Sequence, residues 1–369
     1  MMRRLLRANG LAILAVILFH AAGWGFTAMF AWGGGAAGAQ GPDFSQSGSA
    51  AYYALRGLEQ FTAFGLAAFL FVSGYFAAFA AGRSGERIPW SMVGARIKSL
   101  VVPYLFWSTL LLFGLLLQGN SFSPATVLRM FLTGAVNPAY YFVPLLIQFY
   151  LLAPILAGPA KRYPGLLLLA TGLVQVFVYA MQYPILLSPE SEAARLLTVW
   201  LPKWIFPVKL FWFTLGIVAG FHLPTVRTRL EKWRWAFLGA AAGLFVLGAV
   251  EWESLLRLSG RPWLDVRETL IDGLYAGAVI LALVSFSEVR GRLTNLVEGV
   301  GSRSYGIYLV HSPAMELVSR GLYHLAPAVL AYQVLFQPLL VVFGLGVPLA
   351  LMFVVKNTRA RVLYSYQFG

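Results

Sequence analysis

The sequence lacks cysteine and has few charged residues. Of its 369 residues, 11% are Asp, Glu, Lys or Arg, whereas 59% are hydrophobic. Without cysteine, disulfides, a thiol nucleophile and a cysteine acyl-enzyme are all excluded. The shortage of charge and a mean hydropathy of +0.73 exclude an ordinary soluble globular protein. We therefore expect a polytopic membrane protein.

Apolar stretches long enough to cross a hydrocarbon core of about 30 Å recur along the whole chain. They predict an all-α integral membrane protein with about ten transmembrane helices, in one domain over residues 1–369 and with no soluble domain. The expected spans are 8–32, 61–82, 98–118, 140–158, 164–182, 206–222, 234–250, 268–286, 303–320 and 328–355.

The net charge of +14 is distributed in a way that indicates a membrane rather than nucleic acid. With both termini in the cytoplasm, 19 lysines and arginines fall in cytoplasmic segments and eight in external ones. This asymmetry follows the positive-inside rule and favours an even number of spans. A cleaved signal peptide, suggested by the basic start and the small residues Gly33 to Ala39, is the competing interpretation of the N-terminus.

External segments are predicted over 33–60, 118–138, 183–207 and 251–268, and the first two carry specific structural expectations. The longest polar interval, from about Gly33 to Gln60, is rich in Gly, Ala and Ser and is expected to be a flexible loop. A short surface helix is expected at Ala125 to Leu132.

His20 stands near the middle of the first apolar stretch. A titratable side chain at bilayer depth is costly and usually faces a partner, a cavity or a substrate. Helical spacing places Ile13, Val16 and Trp24 on the same face, and none of them accepts a proton. A functional partner would therefore come from another helix, and a packing histidine bonded to a neighbouring backbone is the alternative.

A second histidine at bilayer depth, His311, follows a polar stripe in the ninth stretch. Ser304 and Tyr308 precede it at helical spacing. By the helical rise, His311 lies roughly 12 Å beyond Arg303. Few other side chains at this depth can satisfy a buried imidazole, so we expect His311 to share one central cavity with His20.

Small and acidic residues inside two other stretches have open interpretations. Ser73 and Gly74 permit close helix approach, which favours a role in packing. Asp272 is the acidic residue least compatible with lipid. A salt bridge to Arg267 or Lys209 and a functional role are both consistent with it.

The third stretch begins with Arg96 and Lys98 on the cytoplasmic side and continues through Pro103 to Trp107. These cations would either anchor to lipid head groups or hold the phosphates of an anionic ligand such as a coenzyme.

Five segments, taken together and in order, resemble the bacterial acyltransferase type 3 family over nearly the whole chain. They are the apolar run ending in Phe19-His20, the stretch Phe71-Val-Ser-Gly-Tyr75, the segment from Arg96 to Trp107, the middle stretch Tyr141-Phe-Val-Pro-Leu-Leu-Ile-Gln-Phe-Tyr-Leu151 and the late motif Ser304-Tyr-Gly-Ile-Tyr-Leu-Val-His311.

The resemblance implies a ten-helix membrane enzyme that moves an acyl group, often acetyl, from cytoplasmic acyl-CoA to a hydroxyl of an extracytoplasmic acceptor. It assigns the essential role to His20. Two positions depart from the family pattern. Asn9 stands where the family commonly has an arginine eleven positions before the histidine, and Tyr141 replaces a tryptophan.

Our hypothesis is that His20 acts as general base on the acceptor hydroxyl, with His311 as a second catalytic residue. The candidates for binding acyl-CoA, in the first instance acetyl-CoA, are Arg96, Lys98, Arg87 and Asn9. The candidates for contacting substrate or stabilising an oxyanion are Tyr141, Gln148, Ser304, Tyr305, Tyr308, Ser73 and Trp107.

No metal and no nucleic acid are expected. The expected partners are membrane lipids and a glycan, glycolipid or similar hydroxyl acceptor, and the expected location is the inner membrane of a bacterium. The oligomeric state stays open. The alternative function is a transporter or exporter of a lipid-linked or glycan substrate that uses the histidines as a proton relay.

Overall fold

The computed structural model of the protein describes residues 2–32, 45–80, 88–261, 263–264, 268–286 and 291–369. All regular structure in these ranges is helical, which confirms the expected all-α class. The helices are α1 (Met2–Phe26), α2 (Ala50–Thr62), α3 (Gly65–Ala80), α4 (Trp90–Leu117), α5 (Pro124–Thr133), α6 (Phe142–Arg162), α7 (Pro164–Ala180), α8 (Gln182–Leu187), α9 (Glu192–Trp200), α10 (Leu210–Lys232), α11 (Arg234–Ser259), α12 (Leu270–Ser285), α13 (Arg292–Gly301), α14 (Ser304–Leu325), α15 (Ala328–Ala331), α16 (Gln333–Lys356) and α17 (Tyr364–Phe368). A π-helical turn (Thr27–Ala31) extends α1, and 3₁₀ turns occupy Phe206–Lys209 and Arg359–Leu363.

Eight helical segments of the described chain are long and apolar enough to cross a membrane. They are Arg3–Ala31, Ala50–Phe79, Trp90–Leu117, Phe142–Arg162, Pro164–Leu187, Phe206–Leu223, Arg234–Ser259 and Gln333–Lys356. The shorter apolar helix α12 and the helix α14, which carries the polar stripe, occupy the other two positions where the sequence predicts spans.

Outward-facing apolar side chains cover the rim of the helix bundle. On α7, Leu166, Leu169, Leu173 and Phe177 are each more than half exposed. Leucine and phenylalanine at this exposure are unfavourable in water and favourable in lipid, so this face of α7 is suited to the hydrocarbon core.

Helix α1 lies at the centre of the bundle and packs against α2, α3, α13, α14 and α16. Its residues Ile13 and Ile17 are fully buried, one turn apart. A polar residue on this helix therefore meets protein rather than lipid.

The segments that the charge pattern assigns to the cytoplasm gather on one face. Arg7 at the start of α1 donates to Glu298 of α13 at 2.6 Å, and Arg4 lies 3.8 Å from Glu231 near the end of α10. The C-terminal helix α17 packs against α4 and α14. Both ends of the described chain therefore lie on the same side of the bundle, as an even number of spans requires.

Helices α3 and α10 meet backbone to backbone. A Cβ atom on Gly74 would lie 2.1 Å from the Phe213 carbonyl oxygen, and one on Gly216 would lie 2.1 Å from that of Phe71. Only glycine allows this approach. The contact accounts for Gly74 by packing, as its sequence context favours.

The expected external loop over 33–60 is corrected in its second half, because residues 50–62 form α2. Ser49 caps this helix by accepting from the Tyr52 amide, and Tyr52, Leu55, Glu59 and Thr62 are buried at helical spacing. Residues 33–44 lie outside the described ranges. The expected surface helix at 125–132 is confirmed by α5.

Candidate active site

The two central histidines meet between α1 and α14. Their ring centroids lie 5.2 Å apart with the planes tilted by 50°. This contact bridges 291 positions of sequence because α14 packs directly against α1. The fold therefore brings His20 and His311 into contact.

His311 is completely buried, and one of its ring nitrogens has a fixed role. Its Nδ1 lies 2.6 Å from the Tyr308 carbonyl oxygen. A carbonyl only accepts, so Nδ1 carries the proton. The other nitrogen, Nε2, is buried with no hydrogen-bond partner among the described residues. Neutral His311 therefore presents an unused acceptor within the histidine pair.

His20 lines a cavity of about 940 Å³ that lies on the extracytoplasmic side of the bundle, as the charge pattern assigns the faces. Val16, Phe19, Phe142, Tyr141 and Tyr308 also line this cavity. His311 is not among the lining residues. The structure therefore places it next to His20 but not on the wall of the cavity that it was expected to share.

Charged residues are paired along the upper wall of this cavity. Arg56 and Glu59 form an ion pair on α2, with their side chains only 10% and 7% exposed. The Arg56 guanidinium stacks 3.7 Å from the ring centroid of Trp252 on α11. This pair fixes α2 against α11 at the rim of the cavity.

A second ion pair corrects the expectation for Asp272. Lys209 pairs with Glu268, whereas Asp272 accepts from the Thr269 amide and from the Gln60 side chain, each at 3.0 Å. Asp272 belongs to a capping box at the start of α12. Its carboxylate therefore bonds the first turn of that helix and does not pair with Lys209. Arg267, the other expected partner, lies outside the described residues.

Most hydroxyl groups proposed from the sequence are engaged with other parts of the protein. Tyr308 lines the cavity, but its hydroxyl donates to the Ala139 carbonyl. The Tyr305 hydroxyl donates to the Leu100 carbonyl, and Ser304 Oγ accepts from Asn9 at 2.5 Å. A buried donor takes the nearest unpaired acceptor, so these groups tie α14 to its neighbours. Tyr141 lines the cavity that His20 also lines.

Gln148 also forms hydrogen bonds with the backbone. Its amide nitrogen donates to the Trp204 carbonyl at 2.7 Å, and its oxygen accepts from the Phe206 amide at 3.1 Å. Ser73 neighbours the glycine contact between α3 and α10 and does not line the cavity. Neither residue is brought next to His20 in the described cavity.

Asn9 joins helices on the opposite side of the bundle. Its amide donates to the Gly301 carbonyl at 2.9 Å as well as to Ser304. These bonds connect α1 to the junction of α13 and α14. Asn9 therefore links α1 to the start of α14, at Ser304, about two helical turns before His311.

The donor candidates on α4 lie near the face assigned to the cytoplasm. Arg96 donates through Nε to the Tyr150 hydroxyl at 3.2 Å and is otherwise exposed. Lys98 is exposed, and Arg87 lies outside the described residues. Arg96 and Lys98 are thus available to a phosphate or a lipid head group.

Trp107 is covered by the C-terminal segment. Its indole nitrogen donates to the Gln367 carbonyl at 2.8 Å, and its ring lies 6.3 Å from that of Phe368, which is 4% exposed. Helix α17 therefore fills the groove between α4 and α14.

Several residues that line the cavity belong to none of the sequence motifs, among them Arg56, Glu59, Gln60 and Lys203. The available signal was their charge or polarity beside apolar stretches. No group of three His, Asp or Glu side chains that could hold a metal ion occurs among the described residues.

A helix bundle with a lipid-compatible rim, a histidine pair and a cavity lined by charged as well as apolar residues is that of a multi-pass membrane protein. Comparison with known protein families identifies the class of membrane protein. The family model of the acyltransferase domain of type 3 acyltransferases matches residues 8–356. The chain therefore belongs to this family and is a membrane acyltransferase. Searches among curated proteins and solved structures found no match.

Proposed function

We propose that the protein transfers an acyl group, in the first instance acetyl, from cytoplasmic acyl-CoA to a hydroxyl of an extracytoplasmic glycan, glycolipid or similar acceptor. The observation that carries this proposal is the position of His20. It lines a cavity large enough for a small organic group and touches a second buried histidine. Membership of an acyltransferase family supplies the reaction class and makes the transporter alternative unnecessary.

In the proposed step, a neutral His20 nitrogen takes the proton of the acceptor hydroxyl as its oxygen attacks the thioester carbon. The carbonyl π electrons move to the carbonyl oxygen and form a tetrahedral oxyanion. When the carbonyl re-forms, the carbon–sulfur bond breaks, and the imidazolium returns the proton to the departing thiolate. The products are the acyl ester and free CoA. General-base catalysis of this kind is worth about 10²–10⁴-fold.

His311 fits the role of a positioning residue. Its fixed Nδ1–H leaves Nε2 as an acceptor within the histidine pair. An N–H of His20 directed to that nitrogen would leave the other His20 nitrogen free to face the cavity as the base. This arrangement parallels the general pattern in which a third group orients a catalytic base.

The donor would approach from the side of Arg96 and Lys98, whose charges suit the phosphates of a coenzyme. The acceptor would occupy the opposite cavity. The proposed location is the inner membrane of a bacterium, where the donor is cytoplasmic and the acceptor lies outside.

The experiment is mass spectrometry of cell-envelope glycans and lipids from a deletion strain. The strain is complemented with the wild-type gene or with His20→Ala, and protein levels are matched by immunoblot. We expect an acyl ester that the wild type restores and the variant does not. Equal restoration by both genes would contradict the proposed role of His20, and no acyl difference between the deletion and wild-type complementation would contradict the proposed acceptor class.

A further inference from the structure

Residues 201–209 form an irregular segment between α9 and α10. The helix α9 ends at Trp200, a 3₁₀ turn occupies Phe206–Lys209, and α10 begins at Leu210. Part of the segment falls within a candidate membrane span. Irregular backbone at membrane depth is tolerated only where it is buried in protein or lines a water-filled cavity.

Two glutamines satisfy the backbone of this segment. Gln148 on α6 bonds both the Trp204 carbonyl and the Phe206 amide, at 2.7 and 3.1 Å. Gln175 on α7, which is 3% exposed, donates to the Val208 carbonyl at 2.8 Å. Side-chain amides thus replace the missing helical partners and hold the segment in one place.

The segment presents two lysines to the cavity that His20 lines. Lys209 is buried and paired with Glu268. Lys203 is exposed and lines the same cavity as His20. An ammonium group in such a cavity can stabilise a negative charge that forms there.

We propose that Lys203 stabilises the negative charge that forms on the thioester oxygen, and that Gln148 is the positioning residue that holds Lys203 there. The inference rests on the proposed function. Attack on the thioester creates the oxyanion beside His20, whereas the nearby hydroxyls of Tyr305 and Tyr308 donate to backbone carbonyls. An ammonium group supplies the compensating charge without needing those donors.

The test measures acyl transfer by purified enzyme in vesicles, with saturating acceptor and varied acetyl-CoA. Lys203→Met should lower kcat by about 10²–10³-fold, the usual effect of removing one oxyanion-stabilising group, and leave KM for acetyl-CoA unchanged. Lys203→Arg keeps the charge and should retain most of the activity. Lys232→Met, which removes an exposed lysine at the end of α10, is the matched control.

Gln148→Met should also lower kcat. It should cause no further loss in the Lys203→Met background, because the proposed role of Gln148 is only to hold Lys203 in place. A purely structural role of Gln148 would lower activity by the same factor in both backgrounds and would overturn its assignment. Size-exclusion profiles confirm folding, and if Lys203→Met fails to fold, Lys203→Gln and Lys203→Arg provide the comparison of neutral with charged side chains.

The two proposals fail in different ways. If the wild type transfers acyl groups, His20→Ala is inactive and Lys203→Met remains as active as the control, only the assignment of Lys203 is overturned. If His20→Ala is as active as the wild type, the proposed function fails and the role of Lys203 fails with it.

Discussion

The glycine contact between α3 and α10 predicts a large penalty for a single methyl group. In Gly74→Ala the new Cβ would lie 2.1 Å from the Phe213 oxygen and 3.0 Å from the Ile217 nitrogen. Carbon–oxygen contacts in proteins begin at about 3.3 Å. The two backbones must therefore separate by about 1.2 Å to reach that distance.

Overpacking costs about 1–3 kcal/mol, and we expect the upper end because backbone atoms cannot rotate away. Alanine regains about 1 kcal/mol of helix propensity over glycine, which leaves a net loss of about 2 kcal/mol. With an unfolding entropy of about 2.1 cal/mol/K per residue, 1 kcal/mol shifts the midpoint of a chain of 369 residues by about 1.3 °C, so the midpoint of thermal unfolding should fall by about 3 °C.

The assay is thermal unfolding in detergent, followed by the fraction of protein that remains monodisperse on size exclusion. Gly239→Ala on α11 is the matched control, because a Cβ there meets no atom within 4 Å. It should be neutral or slightly stabilising. Equal midpoints for the two variants would refute the close approach of α3 and α10.

Three further outcomes are expected from steady-state kinetics of acyl transfer. His311→Ala should reduce kcat less than His20→Ala, and the double variant should be no worse than His20→Ala; additive losses would contradict a shared unit. Arg96→Ala should raise KM for acyl-CoA more than it lowers kcat, with partial rescue by lysine, and an unchanged KM would make this arginine a lipid anchor. Phe368→Ala should open the groove beneath α17 and lower KM for acyl-CoA, relative to the exposed control Tyr366→Ala; equal KM values would place the donor route elsewhere.

The spans could be predicted from the sequence because apolar length is a property of each segment alone. The helix α2 could not, because its apolar positions are mixed with polar ones and follow a Gly- and Ala-rich stretch. Its helical signals were the cap at Ser49 and the spacing of Tyr52, Leu55 and Glu59. Tyr52 and Leu55 become buried only when α2 packs against α1 and the π-helical turn that extends it.

The contact between His20 and His311 could be predicted because few side chains at bilayer depth can satisfy a buried imidazole. The pairing of Lys209 with Glu268, and not with Asp272, depends on which carboxylate the start of α12 uses for its own cap. Likewise the sequence shows that Gln148 has an amide, but only the fold shows that it meets two backbone groups of an irregular segment. Which of several chemically equivalent partners a side chain bonds depends on the tertiary structure and cannot be read from the local sequence.

The most direct test of the central claim compares kcat for acyl transfer between His20→Ala and His324→Ala in purified, correctly folded protein. His324 is an exposed histidine in the last turn of α14 and controls for loss of an imidazole. General-base catalysis by His20 predicts a fall of about 10²–10⁴-fold for His20→Ala and wild-type activity for His324→Ala. Retention of more than about a tenth of wild-type kcat in His20→Ala would contradict the assignment of His20 as the catalytic base.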